Sequence, residues 1–219
     1  MKPVSREERS LPRGRIPDVV VKRLPVYLRA LREAQAEGLD IVSSAELSER
    51  TGISSEQIRK DLTYFGAFGT RGVGYATEVL ADRIQKILGL CKPVPVALVG
   101  AGHLGTALAR YNRSQDHLVQ VAAIFDHDPE KIGSTIAGIS VYHPDQIQEV
   151  VQEKGIQMAI LAIPPQEAQG VADRLALAGV KSILNFSPAK IRSKAHVQNI
   201  DLTLELQTLA YYTMGDGNA

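Results

Sequence analysis

A glycine-rich segment follows the apolar run Val94–Val99 and has the composition of a nucleotide-binding loop. In a strand–loop–helix unit with the spacing Gly-x-Gly-x-x-Gly, the first glycine permits a tight turn and the second lets the backbone approach a pyrophosphate. The third allows the helix to pack closely on the sheet, and free N–H groups at the helix start bind phosphate. The residues predicted to form this loop are Gly100, Ala101, Gly102, His103, Leu104 and Gly105.

An acidic residue stands where such a unit requires one. Asp126 follows Gly105 by 21 positions, at the end of the next apolar segment. Its carboxylate is expected to accept hydrogen bonds from the adenosine ribose and to repel a 2′-phosphate, which favours NAD(H) over NADP(H). The pattern therefore predicts a dinucleotide site. The alternative is a structural glycine turn that binds nothing.

Two later loops could reach the nicotinamide. Residues 162–165 follow one predicted strand and residues 185–188 follow another. Ligands of such sheets lie over the carboxyl ends of the strands. The predicted contacts are Ile163, Pro164 and Asn185, but each segment could equally be a rigid turn that ends a strand.

No catalytic constellation accompanies this predicted site. Hydride transfer needs a positioned proton donor or acceptor, and none of the five histidines pairs with an acid at a recognisable catalytic spacing. The single cysteine, Cys91, cannot form an internal disulfide, and no metal-ligating cluster is evident. The chain after the predicted sheet is too short for a substrate domain. A cofactor site without a substrate site favours sensing over turnover, so no catalytic residue and no metal is predicted.

The first third of the chain predicts a winged helix-turn-helix. A long helix begins near Pro17, and Pro25 is expected to kink it or to delay its start. Two short helices follow, each opened by a capping box, at residues 43–46 and 54–57. The glycine-rich residues 66–75 then predict a β-ribbon, and this order of elements is typical of DNA-binding domains.

The second short helix is predicted to read DNA. Its apolar stripe packs inward and leaves polar side chains that suit base edges and phosphates. Residues 1–75 carry 13 Lys and Arg against 10 Asp and Glu, which agrees weakly with an anionic partner. An ordinary solvated helix face is the alternative. The predicted DNA contacts, including the ribbon, are Ser54, Ser55, Gln57, Arg59, Lys60, Thr63, Tyr64, Thr70 and Arg71.

Together these patterns predict an α/β chain in which a winged helix precedes a doubly wound parallel sheet of Rossmann type. The predicted divisions are a basic arm at 1–16, a winged-helix domain at 17–90, a nucleotide-binding domain at 91–200 and a last helix at 201–213. The arm is either a frayed tail or an extension that reaches DNA. The apolar runs are too short to span a membrane and no signal peptide is evident, which predicts a cytoplasmic protein.

Four segments carry a family resemblance: QIRKDLTYFG at 57–66, FGTRGVGY at 68–75, RLPVYLR at 23–29 and ILNFSP at 183–188. Over residues 17–212 the chain resembles the Rex family of bacterial redox-sensing repressors. His103 and Ser187 are minor departures from its pattern. The resemblance implies a homodimer whose last helix is exchanged between subunits, and which binds two-fold symmetric operator DNA when NADH is scarce and releases it when NADH binds.

The family pattern also suggests a switch. Asp201 would pair with Arg29 in one state and with Tyr111 in the other. The alternatives are a helix N-cap for Asp201, a solvated helix charge for Arg29 and a phenol at the core edge for Tyr111. Two other functions compete with the sensor: an NAD-dependent oxidoreductase or CoA-type module with an incidental basic domain, and a DNA-binding protein whose second domain only dimerises.

Overall fold

A computed structural model describes residues 16–66, 69–70, 72–114 and 118–213 of the chain. The chain divides into two compact units, Met1–Cys91 and Lys92–Ala219, and each is treated by itself. Cys91, the last residue of the first unit, is exposed and carries a free thiol. None of the helices in the described part of the chain is both long enough and apolar enough to cross a membrane.

The first unit is a helix-turn-helix followed by a short antiparallel ribbon. Strand β3 lies between β1 and β2 and pairs antiparallel with both. Apolar residues of the helices and of β1 and β3 form one buried core, to which Leu24, Leu31, Leu47, Ile58 and Phe65 contribute fully buried side chains. The elements in chain order are α1 (Asp18–Ala36), β1 (Ile41–Val42), α2 (Ser44–Thr51), α3 (Ser55–Thr63), β2 (Gly69–Thr70), β3 (Gly74–Ala76) and α4 (Thr77–Ile87).

The two capping boxes differ in outcome. Ser43 and Glu46 form a complete box at the start of α2, because each side chain accepts the backbone N–H of the other residue. At α3 the Ser54 hydroxyl accepts the Gln57 N–H, but the Gln57 side chain donates to Asp61 instead of returning to the cap. The second box is therefore only half formed, because a buried carboxylate competes for the glutamine amide.

The expected delay of the first helix at Pro25 is wrong. Helix α1 begins at Asp18 and continues through Pro25, and Pro17 is its N-cap instead of its first helical residue. Pro25 has no N–H to donate, but it lies on the exposed face of α1, where water can satisfy the carbonyl that loses its helical partner.

The second unit is a seven-stranded sheet in the order β10-β9-β8-β4-β5-β7-β6, parallel except for the pair β6–β7. Because β4 lies between β5 and β8, the chain winds in opposite directions on its two sides, and a crevice opens beyond its carboxyl end. The elements are β4 (Val94–Val99), α5 (His103–Ser114), β5 (Val119–Phe125), β6 (Thr135–Ile136), β7 (Ile139–Tyr142), α6 (Ile147–Glu153), β8 (Met158–Leu161), α7 (Pro165–Ala178), β9 (Ser182–Asn185), β10 (His196–Asn199) and α8 (Leu202–Thr213).

The predicted α/β fold is confirmed, but three strands of the second unit were missed. Strands β6, β7 and β10 are two to four residues long and lack the apolar runs that mark the inner strands. A 3-10 turn at Pro144–Gln146 continues directly into α6.

Candidate functional site

The glycine loop occupies the crevice at the end of β4. Gly100 has a φ of +98°, and a Cβ there would lie 2.3 Å from the carbonyl oxygen of Ala162. A Cβ on Gly105 would lie 1.8 Å from the carbonyl oxygen of Gly100. At Gly102 a Cβ would meet nothing within 4 Å. The outer two glycines are therefore required by the fold, whereas Gly102 leaves open space beside the start of α5.

Asp126 connects this loop to the end of β5. Its Oδ2 accepts the backbone N–H of Ala101 at 2.6 Å, and its Oδ1 accepts that of Asp128 at 2.9 Å. The residue is only 7% exposed, and the Nζ of Lys131 lies 3.8 Å from Oδ2. A carboxylate has about four acceptor positions, so capacity for a ribose hydroxyl remains.

A cleft of about 770 Å³ extends over the carboxyl ends of β4, β5 and β8. This volume lies within the usual range of small-molecule sites. Gly100, Gly102, Asp126, Ile163 and Pro164 line it, as expected for a dinucleotide site. The gap at Gly102, the acid at the end of β5 and the apolar walls fit an adenine dinucleotide. His103 and Leu104 are exposed at the start of α5, and Gly105 is buried under the loop.

Asn185 belongs to a rigid turn. It is fully buried, and its Nδ2 donates to the carbonyls of Ser187 and Ala189 and to the Oδ1 of Asn199. Its own Oδ1 accepts the Ser187 N–H at 3.0 Å. These bonds favour the strand-ending turn over a nicotinamide contact. The Ser187 hydroxyl is buried and has no hydrogen-bond partner among the residues that the structure describes.

Sequence reasoning missed the cations of the cleft. Lys131 lies 3.1 Å from the Asp128 carboxylate, and this hydrogen bond raises the pKa of Lys131. Arg174, on α7, bonds Asp145 at 2.5 Å and lowers the pKa of that carboxyl group. Lys131 is close to Asp126 in the sequence, so its place in the cleft could have been predicted. Arg174 and Asp145 are 29 residues apart, so no local pattern joins them.

The outer face of α3 and its C-cap present four of the nine predicted DNA contacts. Arg59, Lys60, Thr63 and Tyr64 are exposed. Arg59 Nη1 donates to the Ser44 hydroxyl at 2.8 Å, and this contact was not predicted. A groove of about 560 Å³ between the start of α2, α3 and the ribbon includes Arg59, Thr63 and Thr70. Ser54 caps α3 and Ser55 is its first residue. Arg71 and residues 1–15 of the basic arm lie outside the described residues.

A buried carboxylate, Asp61, joins α3 to α1. Arg23 donates to both of its oxygens, from Nε at 2.6 Å and from Nη2 at 2.8 Å. The Tyr27 hydroxyl donates to Oδ2 at 2.7 Å, and Gln57 Nε2 donates to Oδ1 at 2.7 Å. Burial and the bond to Asp61 together raise the pKa of Tyr27. The four residues fix the position of α3 on the unit. All four residues lie in segments that carry the family resemblance, but the contacts between them were not predicted.

Comparison with known proteins assigns both units. The family model for a CoA binding domain matches residues 91–189, and that for a DNA-binding protein N-terminus matches residues 15–63. The redox-sensing transcriptional repressor Rex of Natranaerobius thermophilus is 48% identical over 208 residues, which cover 94% of this chain and 95% of that protein. The chain belongs to the Rex family of redox-sensing transcriptional repressors. Rex from a Roseiflexus species is 43% identical over 93% of each chain.

Solved Rex-family structures share this fold. RSP, a Rex-family repressor, in complex with β-NAD+ and operator DNA is 36% identical and has a TM-score of 0.83, with 92% of this chain and 94% of that chain covered. RSP in complex with β-NADH is 34% identical with a TM-score of 0.79, covering 92% and 95%. Membership of the Rex family makes the chain a regulator and not an oxidoreductase, which confirms the predicted family and function.

The structure describes all three switch residues predicted from the Rex pattern. Asp201 caps α8, because its Oδ1 accepts the backbone N–H groups of Thr203 and Leu204 at 3.0 and 3.2 Å. Arg29 lies 3.9 Å from Glu33 on the exposed face of α1, and Tyr111 is exposed on α5. Arg29 belongs to the first unit and the other two to the second, so their pairing stays a prediction.

Proposed function

We propose that this Rex-family chain represses transcription in the cytoplasm by binding operator DNA while NADH is scarce and by releasing it when NADH binds. The observation that supports this most strongly is the cleft, where open space at Gly102 and the acid Asp126 fit a dinucleotide. RSP has been solved with β-NAD+ and operator DNA and with β-NADH. The dinucleotide is a ligand of the sensor and is not turned over.

The proposed division of labour follows the two units. Residues 17–90 bind DNA, residues 91–200 bind NAD(H), and residues 201–213 dimerise the chain. The loop residues 100–105, with Asp126, Ile163 and Pro164, hold the dinucleotide, while Asn185 acts by shaping the turn that ends β9. The proposed DNA contacts are those predicted on α3 and the ribbon, together with Ser44 beside Arg59.

The last helix supports a dimer. Every residue of α8 is exposed, although half of them are leucine or tyrosine. Soluble monomers rarely expose a continuous apolar surface of this kind, so α8 is proposed to pack on a second copy of the chain. Two-fold symmetry of the protein implies a palindromic operator with half-sites about 34–36 Å apart, one turn of DNA. The apolar residues of α8 are Leu202, Leu204, Leu206, Leu209, Ala210, Tyr211 and Tyr212.

Regulation requires that NADH and NAD+ differ in their affinity for two conformations, since a ligand that binds both equally shifts nothing. The two nucleotides, NADH and NAD+, differ by one charge and by the pucker of the nicotinamide ring. NADH is proposed to stabilise a closed dimer in which the winged helices no longer match one operator turn. Asp201, Arg29 and Tyr111 are the proposed latch between the two conformations.

The direct test is retention of a palindromic operator library by the purified protein, with NADH or NAD+ added in turn at one fixed salt concentration. Release by NADH but not by NAD+ is the expected result. If operator binding is the same with and without either nucleotide, the second unit serves only as a structural scaffold. Absence of specific binding would contradict the proposed function as a whole.

A further inference from the structure

Asp128 begins a tight turn that places the Lys131 side chain beside Asp126. The Asp128 carbonyl accepts the backbone N–H of Lys131 at 3.0 Å, and Pro129 restricts the backbone between them. The Nζ of Lys131 lies 3.1 Å from Oδ2 of Asp128 and 3.8 Å from Oδ2 of Asp126. All three charged residues line the cleft. The cleft therefore holds a cation next to the acid that is proposed to bind the adenosine ribose.

Asp128 is held in place as a charged partner for this cation. Its Oδ1 accepts the backbone N–H of Glu130 at 3.0 Å, and its own backbone N–H donates to Asp126 at 2.9 Å. The Glu130 N–H and the Lys131 ammonium both lower the pKa of the Asp128 carboxyl group, so Asp128 is ionised at neutral pH. The ammonium is therefore paired with two carboxylates, which together outweigh its charge.

This pairing bears on the choice between NADH and NADPH. NADPH carries a 2′-phosphate where NADH has a ribose hydroxyl, and a phosphate monoester brings a charge of about −1.5 to −2 at pH 7. Proteins that accept such a phosphate offer it an arginine or a lysine. Lys131 has the charge and the location for this role, but Asp128 already occupies it. We propose that Asp128 is a specificity-determining residue of the nucleotide site, which excludes NADPH by keeping Lys131 paired.

The proposal rests on the proposed function, because it assumes that the adenosine ribose binds beside Asp126. The two acids act differently: Asp126 repels a 2′-phosphate directly, whereas Asp128 acts through the lysine. Loss of the Asp128 charge should release the Lys131 ammonium for the phosphate, while Asp126 still accepts the Ala101 N–H of the glycine loop. Any gain in NADPH binding should therefore depend on Lys131.

The test compares the dissociation constants of NADH and NADPH, measured from nucleotide fluorescence, for the full-length wild type and for Asp128→Asn. Asparagine has nearly the same shape and can still accept the Glu130 N–H, so the turn should persist. The ratio of the NADPH constant to the NADH constant should fall about three- to tenfold, the effect of one hydrogen bond. Glu130→Gln is the matched control, because it removes one negative charge from an exposed position of the same turn and leaves Asp128 in place. Its ratio should equal that of the wild type.

A double variant tests whether the gain depends on the lysine. Asp128→Asn combined with Lys131→Met removes the cation itself, so the gain in NADPH binding should disappear. Three results would overturn the proposal: a ratio unchanged in Asp128→Asn, a gain that persists in the double variant, or an equal gain in Glu130→Gln, which would show that net charge alone sets the preference. A wild-type chain that binds neither nucleotide would instead contradict the proposed function.

Discussion

The Asp126 carboxylate accepts the backbone N–H of Ala101 across a distance of 2.6 Å between Oδ2 and N. One side chain thus fixes the glycine loop and stands at the ribose end of the proposed nucleotide site. Loss of its charge should therefore affect both the position of the loop and the choice of nucleotide.

Asp126→Asn is expected to weaken NADH binding at least about tenfold, because an amide replaces a charged acceptor of two backbone N–H groups. Removal of the negative charge, with Lys131 nearby, should also narrow the preference for NADH over NADPH. Both affinities can be measured from the fluorescence of the reduced nucleotides. Asp82→Asn, an exposed position on α4, is the control. If the affinities of Asp126→Asn for NADH and NADPH are unchanged, Asp126 does not belong to the nucleotide site.

Gly102→Val should abolish NADH binding and leave the fold intact. The new side chain would enter space that the protein leaves open, the same space that the pyrophosphate is proposed to occupy. Gly105→Ala should do the opposite and destabilise the second unit, since its Cβ would lie 1.8 Å from a backbone oxygen. Thermal unfolding with and without NADH separates the two effects. Normal NADH binding by a folded Gly102→Val chain would contradict the proposed path of the pyrophosphate.

Leu206→Glu should convert the dimer into a monomer, because it places a charge in the apolar surface of α8 that is proposed to be covered by a second copy. Leu177→Glu is a demanding control: Leu177 is 84% exposed on α7, more than the 67% of Leu206, yet it lies outside α8. Light scattering coupled to size-exclusion chromatography gives the masses. If both variants remain dimeric, the interface lies elsewhere.

The latch can be separated from the helix cap at Asp201. Asparagine caps helices about as well as aspartate but carries no charge, whereas alanine removes both functions. Asp201→Asn should therefore uncouple operator release from NADH while both ligands still bind, and Asp201→Ala should add loss of α8 stability. Operator retention titrated with NADH is the readout. If operator release by Asp201→Asn depends on NADH as it does in the wild type, the role of Asp201 is restricted to capping α8.

Local signals made much of the architecture predictable. The capping box at Ser43, the spacing of Gly100, Gly102 and Gly105, and the apolar run of β4 are each contained in a few consecutive residues of the sequence, and the structure places all of them as expected. The short strands β6, β7 and β10 left no such signal, because their pairing is decided by neighbouring strands and not by their own composition.

The site was harder to predict where partners are distant in sequence. Arg23 and Asp61 are 38 residues apart, so nothing in either motif shows that they form a partly buried ion pair. Asn185 was a plausible ligand by its position at a strand end, but its amide is used by the turn that follows. The hydrogen bond from Gln57 to Asp61 could have been anticipated, since an acid four residues later on a helix lies on the same face.

Cys91 offers an unmodified reporter for the proposed motion. It is the only cysteine of the chain, its thiol is exposed, and it ends the first unit at the point where the chain enters the second. A nitroxide spin label attached there requires no engineered residue and yields one label per subunit. In the proposed dimer, pulsed electron paramagnetic resonance would measure the distance between the two labels with and without NADH. A change in that distance would report the proposed closure of the repressor without any substitution in its sequence.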